Sequence, residues 1–66
     1  MERGQRVKHE KFGLGYIKQI MFKGKLREMY IVEFDKGNKD LHNCMGFTED
    51  GKGYFCMKKE VEIYEE

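Results

Sequence analysis

The chain has 66 residues, with 13 Lys/Arg against 12 Asp/Glu, 38% charged residues and 39% apolar ones. That length allows one domain, residues 1–66, and the nine aromatics (five Phe, four Tyr) and eight Gly set it apart from a disordered tail. A chain this short buries about 60% of its unfolded surface, which disfavours a deep catalytic pocket; we expect no enzyme and no cofactor.

No apolar run approaches the ~20 residues of a transmembrane helix, and Met1–Arg6 offers no apolar leader, so neither a membrane span nor a secretory signal is expected. Cys44 and Cys56 are the two cysteines. In the cytoplasm, the compartment this pattern suggests, they serve better as small buried hydrophobes than as a disulfide. The near-zero net charge hides a split. Residues 1–30 hold eight Lys/Arg against three acids, whereas residues 31–66 hold five Lys against nine acids. A basic face built by the early strands would meet an acidic surface or a nucleic acid.

In chain order, Gln5–His9 reads as a first strand anchored by Val7. Phe12-Gly13-Leu14-Gly15 suits a tight turn or a place where backbone passes close to backbone. Tyr16–Phe22 follows as a strand. Ile17 and Ile20 have opposite parity, so a bulge between them is needed to bring both to one face. Lys23-Gly24-Lys25-Leu26 marks a hairpin turn. Arg27–Asp35 is the clearest strand, with Tyr30, Val32 and Phe34 on one face and Met29, Ile31 and Glu33 on the other. Asp35-Lys36-Gly37-Asn38 is a turn, Lys39–Met45 a short strand, and Gly46–Gly53 the longest loop. Tyr54–Met57 and Glu60–Tyr64 complete the set. Five or six short antiparallel strands close most simply as a small SH3-like (Tudor-like) barrel, which removes adhesive edges.

The pattern Gly4-x-x-Val7-x-His9-x-x-Phe12-Gly13-x-Gly15-x-Ile17, followed by Tyr30-x-Val32-x-Phe34, resembles the start of such a barrel in two groups. One is the RNA-polymerase-interacting domain of the CarD and transcription-repair coupling factor families. The other is the C-terminal Tudor-like domain of UvrD-type helicases. The resemblance covers about the first half of the chain. The second half, from Leu41-His42 to Gly53-Tyr54-Phe55, is more similar to small SH3-like proteins of phage or bacterial origin. The resemblance implies a protein-interaction module rather than a catalyst. It implies docking on transcription or DNA-repair machinery, RNA polymerase included, by strand addition to an edge that the hairpin Tyr16–Asp35 would offer.

The residues expected to meet a partner are Lys18, Lys23, Lys25, Arg27, Tyr16 and Tyr30, a basic hairpin with interleaved rings. The alternative is a nucleic-acid-binding barrel that uses the basic-aromatic run of residues 11–27. A more distant one is a zinc- or thiol-dependent protein built on His42, Cys44 and Cys56. The spacing lacks a Cys-x-x-Cys knuckle, and no nucleophile–base pair stands out. His9 is expected to fix its glycine turn by bonding a backbone carbonyl. The double glycines lack both phosphate-cradle patterns. An exposed edge would leave the chain a monomer or a weak dimer.

Overall fold

In the computed structural model, which describes residues 1–65, five antiparallel strands carry the fold. They are β1 (Arg6–His9), β2 (Gly13–Met21), β3 (Met29–Phe34), β4 (Gly53–Met57) and β5 (Val61–Ile63). The first four form a meander, and β5 returns to pair with β1, so the order is β4-β3-β2-β1-β5. The chain itself joins the two outermost strands through a 3-10 turn at Lys58–Glu60. This is the all-β, five-stranded arrangement expected of a small barrel-like domain. No helix among the described residues is long and apolar enough to cross a membrane.

The irregularity required by Ile17 and Ile20 is present. Ile17 pairs with Val32 and Gln19 with Ile31, so Lys18 is the extra residue of a bulge. The bulge turns Ile17, fully buried, and Ile20, packed against the core, to the same side. Around them lie Val7, Tyr30, Val32, Phe34, Leu41, Cys56 and Val61. Each large aliphatic side chain buried in this way contributes about 1.5–3 kcal/mol. Gly15 lets β2 and β3 approach: a Cβ there would stand 2.7 Å from the Glu33 carbonyl oxygen and 2.9 Å from Phe34 Cδ1.

The opposite face of the sheet is also partly apolar. Register places Met21, Met29 and Met57 in one cross-strand row, and Gln19, Ile31 and Phe55 in the next. Ile31 is fully buried on this face.

The segment Lys39–Met45 is not a strand, contrary to expectation. Its ladder is reduced to one bridge, His42 to Gly53, and a 3-10 turn occupies Cys44–Gly46. Local side chains outcompete the ladder here. Asn38 Oδ1 accepts the Asp40 N–H, His42 Nδ1 accepts the Cys44 N–H, and Asn43 Oδ1 accepts the Met45 N–H. Cys44 and Met45 sit at φ 49° and 56°, in the left-handed region that a strand excludes.

The hairpin Tyr16–Asp35 is an edge only where the end of β2 runs past β1, beyond Tyr16. β2 lies between β1 and β3, and β3 between β2 and β4. The edges that do exist are blunted. On β4, Glu60 Oε1 accepts the Met57 N–H, and the backbone of His42 pairs with Gly53. Where β2 runs beyond β1, Arg3 Nε donates to the Lys18 carbonyl and Gln19 Oε1 accepts the Ile20 N–H. β5 is three residues long.

Candidate partner-binding site

The six residues expected to bind a partner separate into three groups. Lys23, Lys25 and Arg27 come together on the β2–β3 turn, all exposed. Lys18 sits lower on β2 at the bulge, its ammonium 5.6 Å from the centre of the Tyr16 ring. Tyr30 is withdrawn from the surface: it is fully buried in the core, and its hydroxyl donates to Glu28 Oε2. The alternation Tyr30–Val32–Phe34 explains this correction, because all three share the face that turns inward.

Tyr16 is half-buried and tied down. Its hydroxyl donates to Glu33 Oε1 at 2.5 Å, while Glu33 Oε2 accepts the Glu49 N–H at 2.6 Å. The shared hydrogen bond pushes the Tyr16 phenol up, and together with the Glu49 N–H it holds the Glu33 carboxyl below its usual range. This contact fastens the long β3–β4 connection to the sheet.

The β2–β3 turn is built from its own chain. Lys25 N–H donates to the Phe22 carbonyl and Glu28 N–H to the Lys25 carbonyl. Glu28 Oε1 accepts the Gly24 N–H at 2.9 Å. Together with the Tyr30 hydroxyl, this keeps the Glu28 carboxyl below its ordinary value. Phe22 adopts φ 57°, with the Arg27 guanidinium 5.4 Å from its ring centre. Leu26 is completely exposed at the tip.

Across from the turn stands the end of β4. Met57, 43% exposed, is followed by Lys58 and Lys59 in the 3-10 turn. Between the two lies a cleft of about 410 Å³, lined by Lys25, Leu26, Glu28, Met57, Lys58 and Lys59. Leu26 and the Met57–Lys59 segment were missed by sequence reasoning. The available signal was an exposed-looking leucine among lysines, and a strand ending in methionine and two lysines. Neither says that the two segments face each other.

Three ion pairs join side chains among the described residues: Arg6 with Asp35, Lys11 with Asp40 and Lys52 with Glu49. The lysines of the turn and of the 3-10 turn take part in none of them. Arg6 grips Asp35 with both terminal nitrogens of its guanidinium, Nη1 and Nη2, which holds the Asp35 carboxyl below its usual range.

The soft-ligand residues have structural partners. His9 Nδ1 accepts the N–H groups of Lys11 and Phe12, at 3.0 and 3.3 Å. It therefore closes the glycine turn as an acceptor, not by donating to a carbonyl as expected. The proton this leaves on Nε2 points into the core with no partner among the described residues. The ring packs against Phe12, Phe34 and Tyr54. Cys44 and Cys56 are free thiols, fully buried. Burial raises both, Cys56 to about 12. Among the described residues no group of three or more His, Cys, Asp or Glu is placed to hold a metal ion.

The fold and this site define a small antiparallel β domain that carries a basic turn tipped by an exposed leucine. No family model, curated protein or solved structure matches the chain.

Proposed function

We propose that this domain is a non-catalytic interaction module that docks an acidic protein surface through its β2–β3 turn. The carrying observation is the free charge of that turn. Lys23, Lys25 and Arg27 are exposed on a hydrogen-bonded scaffold, and no carboxylate pairs with them among the described residues. Exposed, unpaired cations on an ordered loop steer an acidic partner and fix its orientation. Docking here runs through side chains, because the sheet edges are blunted. The partner class we assign is transcription or DNA-repair machinery, RNA polymerase foremost. Its support is the amino-terminal pattern from Gly4 to Ile17, carried on a five-stranded antiparallel sheet compatible with a small barrel.

The test is affinity capture from a nuclease-treated bacterial extract. The native domain is expected to recover polymerase or repair subunits, and the triple variant K23E/K25E/R27E to lose them. Recovery of no such component with the native domain would remove this partner class.

One specific observation weighs against the nucleic-acid reading. Lys11, Lys18 and Arg27 each lie over an aromatic ring, Phe12, Tyr16 and Phe22 respectively. The protein's own cations therefore already cover the rings that bases would stack on. Anisotropy with labelled single- and double-stranded oligonucleotides at two salt concentrations separates the readings. Tight binding that weakens steeply with salt would favour nucleic acid.

A further inference from the structure

We infer that the cleft between the β2–β3 turn and the Met57–Lys59 segment receives an acidic peptide segment of a protein partner, with one apolar side chain seated between Leu26 and Met57. The inference rests on the docking reading above and names the place and the chemistry of the contact.

Charge is the first argument. Lys25, Lys58 and Lys59 line the cleft, and Lys23 and Arg27 flank it on the same turn. Two carboxylates lie close by, and both are held as acceptors of the local scaffold. Glu28 takes the Gly24 N–H and the Tyr30 hydroxyl, and Glu60 takes the Met57 N–H. Three lysines line the cleft against one carboxylate, Glu28, which leaves it positive. An acidic segment supplies the missing counter-charge.

The apolar walls are the second argument. Leu26 is completely exposed and Met57 is 43% exposed, on opposite sides of one cleft. Met57 also ends the cross-strand row that begins with Met21 and Met29. The apolar surface therefore continues from the cleft onto the outer face of the sheet. Methionine-lined surfaces adapt to varied apolar side chains. A phosphate backbone has no use for these walls, and no aromatic ring lines the cleft for a base to stack on.

Size and backbone are the third argument. A volume of about 410 Å³ is room for a few side chains and not for a folded domain. Glu60 already occupies the Met57 N–H, so the segment is held by its side chains and does not extend the sheet.

The probe is a short fluorescein-labelled peptide of alternating glutamate and leucine. It is compared with one of glutamate and serine and one of lysine and leucine. Anisotropy gives affinity, and amide chemical shifts of the full chain locate the contact. The glutamate–leucine peptide is expected to bind about tenfold tighter than the glutamate–serine peptide, with the lysine–leucine peptide not binding. Shifts are expected at Leu26 and Met57–Lys59. L26S and K58E, both at exposed positions, are expected to weaken binding about tenfold each while leaving the amide spectrum of the rest of the fold unchanged.

Equal affinity for the serine peptide, shifts located elsewhere, or no effect of L26S and K58E would overturn the cleft. If L26S and K58E still capture polymerase while K23E/K25E/R27E does not, the cleft is overturned and the docking reading stands. If the peptide binds at Leu26 and Met57 but no polymerase or repair subunit is captured, the cleft is supported and the partner class falls.

Discussion

The chain leaves β3 at both ends through connections of opposite character. At one end, residues 22–28 cross from β2 in a turn that exposes Leu26 completely and leaves its lysines without carboxylate partners among the described residues. At the other, residues 35–52 make a connection much longer than most loops in compact domains. Yet that segment buries Leu41, Cys44 and Thr48, and Glu33 binds its Glu49 N–H from the sheet. It packs around Gly53, where a Cβ would collide with Thr48 Oγ1 and stand 2.9 Å from both Cys44 Sγ and the His42 carbonyl oxygen. The long connection is therefore part of the core, and the short one is the part free to meet something else. Length is a poor guide to which loop is ordered; buried apolar contact and satisfied backbone groups decide it.

Replacing one leucine in each connection breaks this contrast most directly. Leu41→Ala removes a buried side chain from the core cluster and is expected to cost about 2–5 kcal/mol, read as a lower urea midpoint. A loss below about 0.5 kcal/mol would mean that the long connection does not belong to the folded core.

The next effect sharpens the contrast by pH. Cys56 rises from an ordinary 9.0 to about 12 through burial. Tyr30 rises from 10.0 to about 12 through burial and its bond to Glu28. Both groups are neutral when protonated, so the folded state binds their protons more tightly than the unfolded chain does. Their contribution to stability is complete below about pH 9 and declines as pH rises towards 12. Thermal melts across that window are expected to show falling midpoints, with the fall in Cys56→Ala beginning nearer pH 10, where tyrosine starts to titrate. Flat midpoints from pH 9 to 12 would contradict the buried placement of both groups.

The smallest stability effect is expected in the exposed turn. Leu26→Ala should leave the urea midpoint within about 0.5 kcal/mol of the native chain. A larger loss would show that Leu26 packs against the domain, and the contrast between the two connections would disappear.

Much of the fold was legible in local pattern. The parity conflict between Ile17 and Ile20 implied the bulge that Lys18 supplies. The run Met29–Phe34 declared itself by β-branched and aromatic residues. Lys39–Met45 misled because its alternation looks strand-like, whereas Asn38, His42 and Asn43 bind nearby amides and curl it. Tyr30 misled because both faces of β3 carry apolar groups, and period-two alternation does not say which face turns inward. Of the candidate site, the cations of the turn were legible as a cluster in sequence. Their apolar and basic counterparts at Met57–Lys59 were not, because they lie about thirty residues further along the chain.

Local residue pattern was enough to set the strand class, the places where the chain turns and the uneven distribution of charge. These depend on backbone preference, side-chain parity and residue type, all of which act over a few neighbours. Only the meeting of distant segments set which face of β3 lines the main core, which edges are blunted, and that Leu26 and Met57 line one cleft. Those outcomes depend on how strands distant in sequence pair and curve around a common core, and local preferences do not fix that geometry.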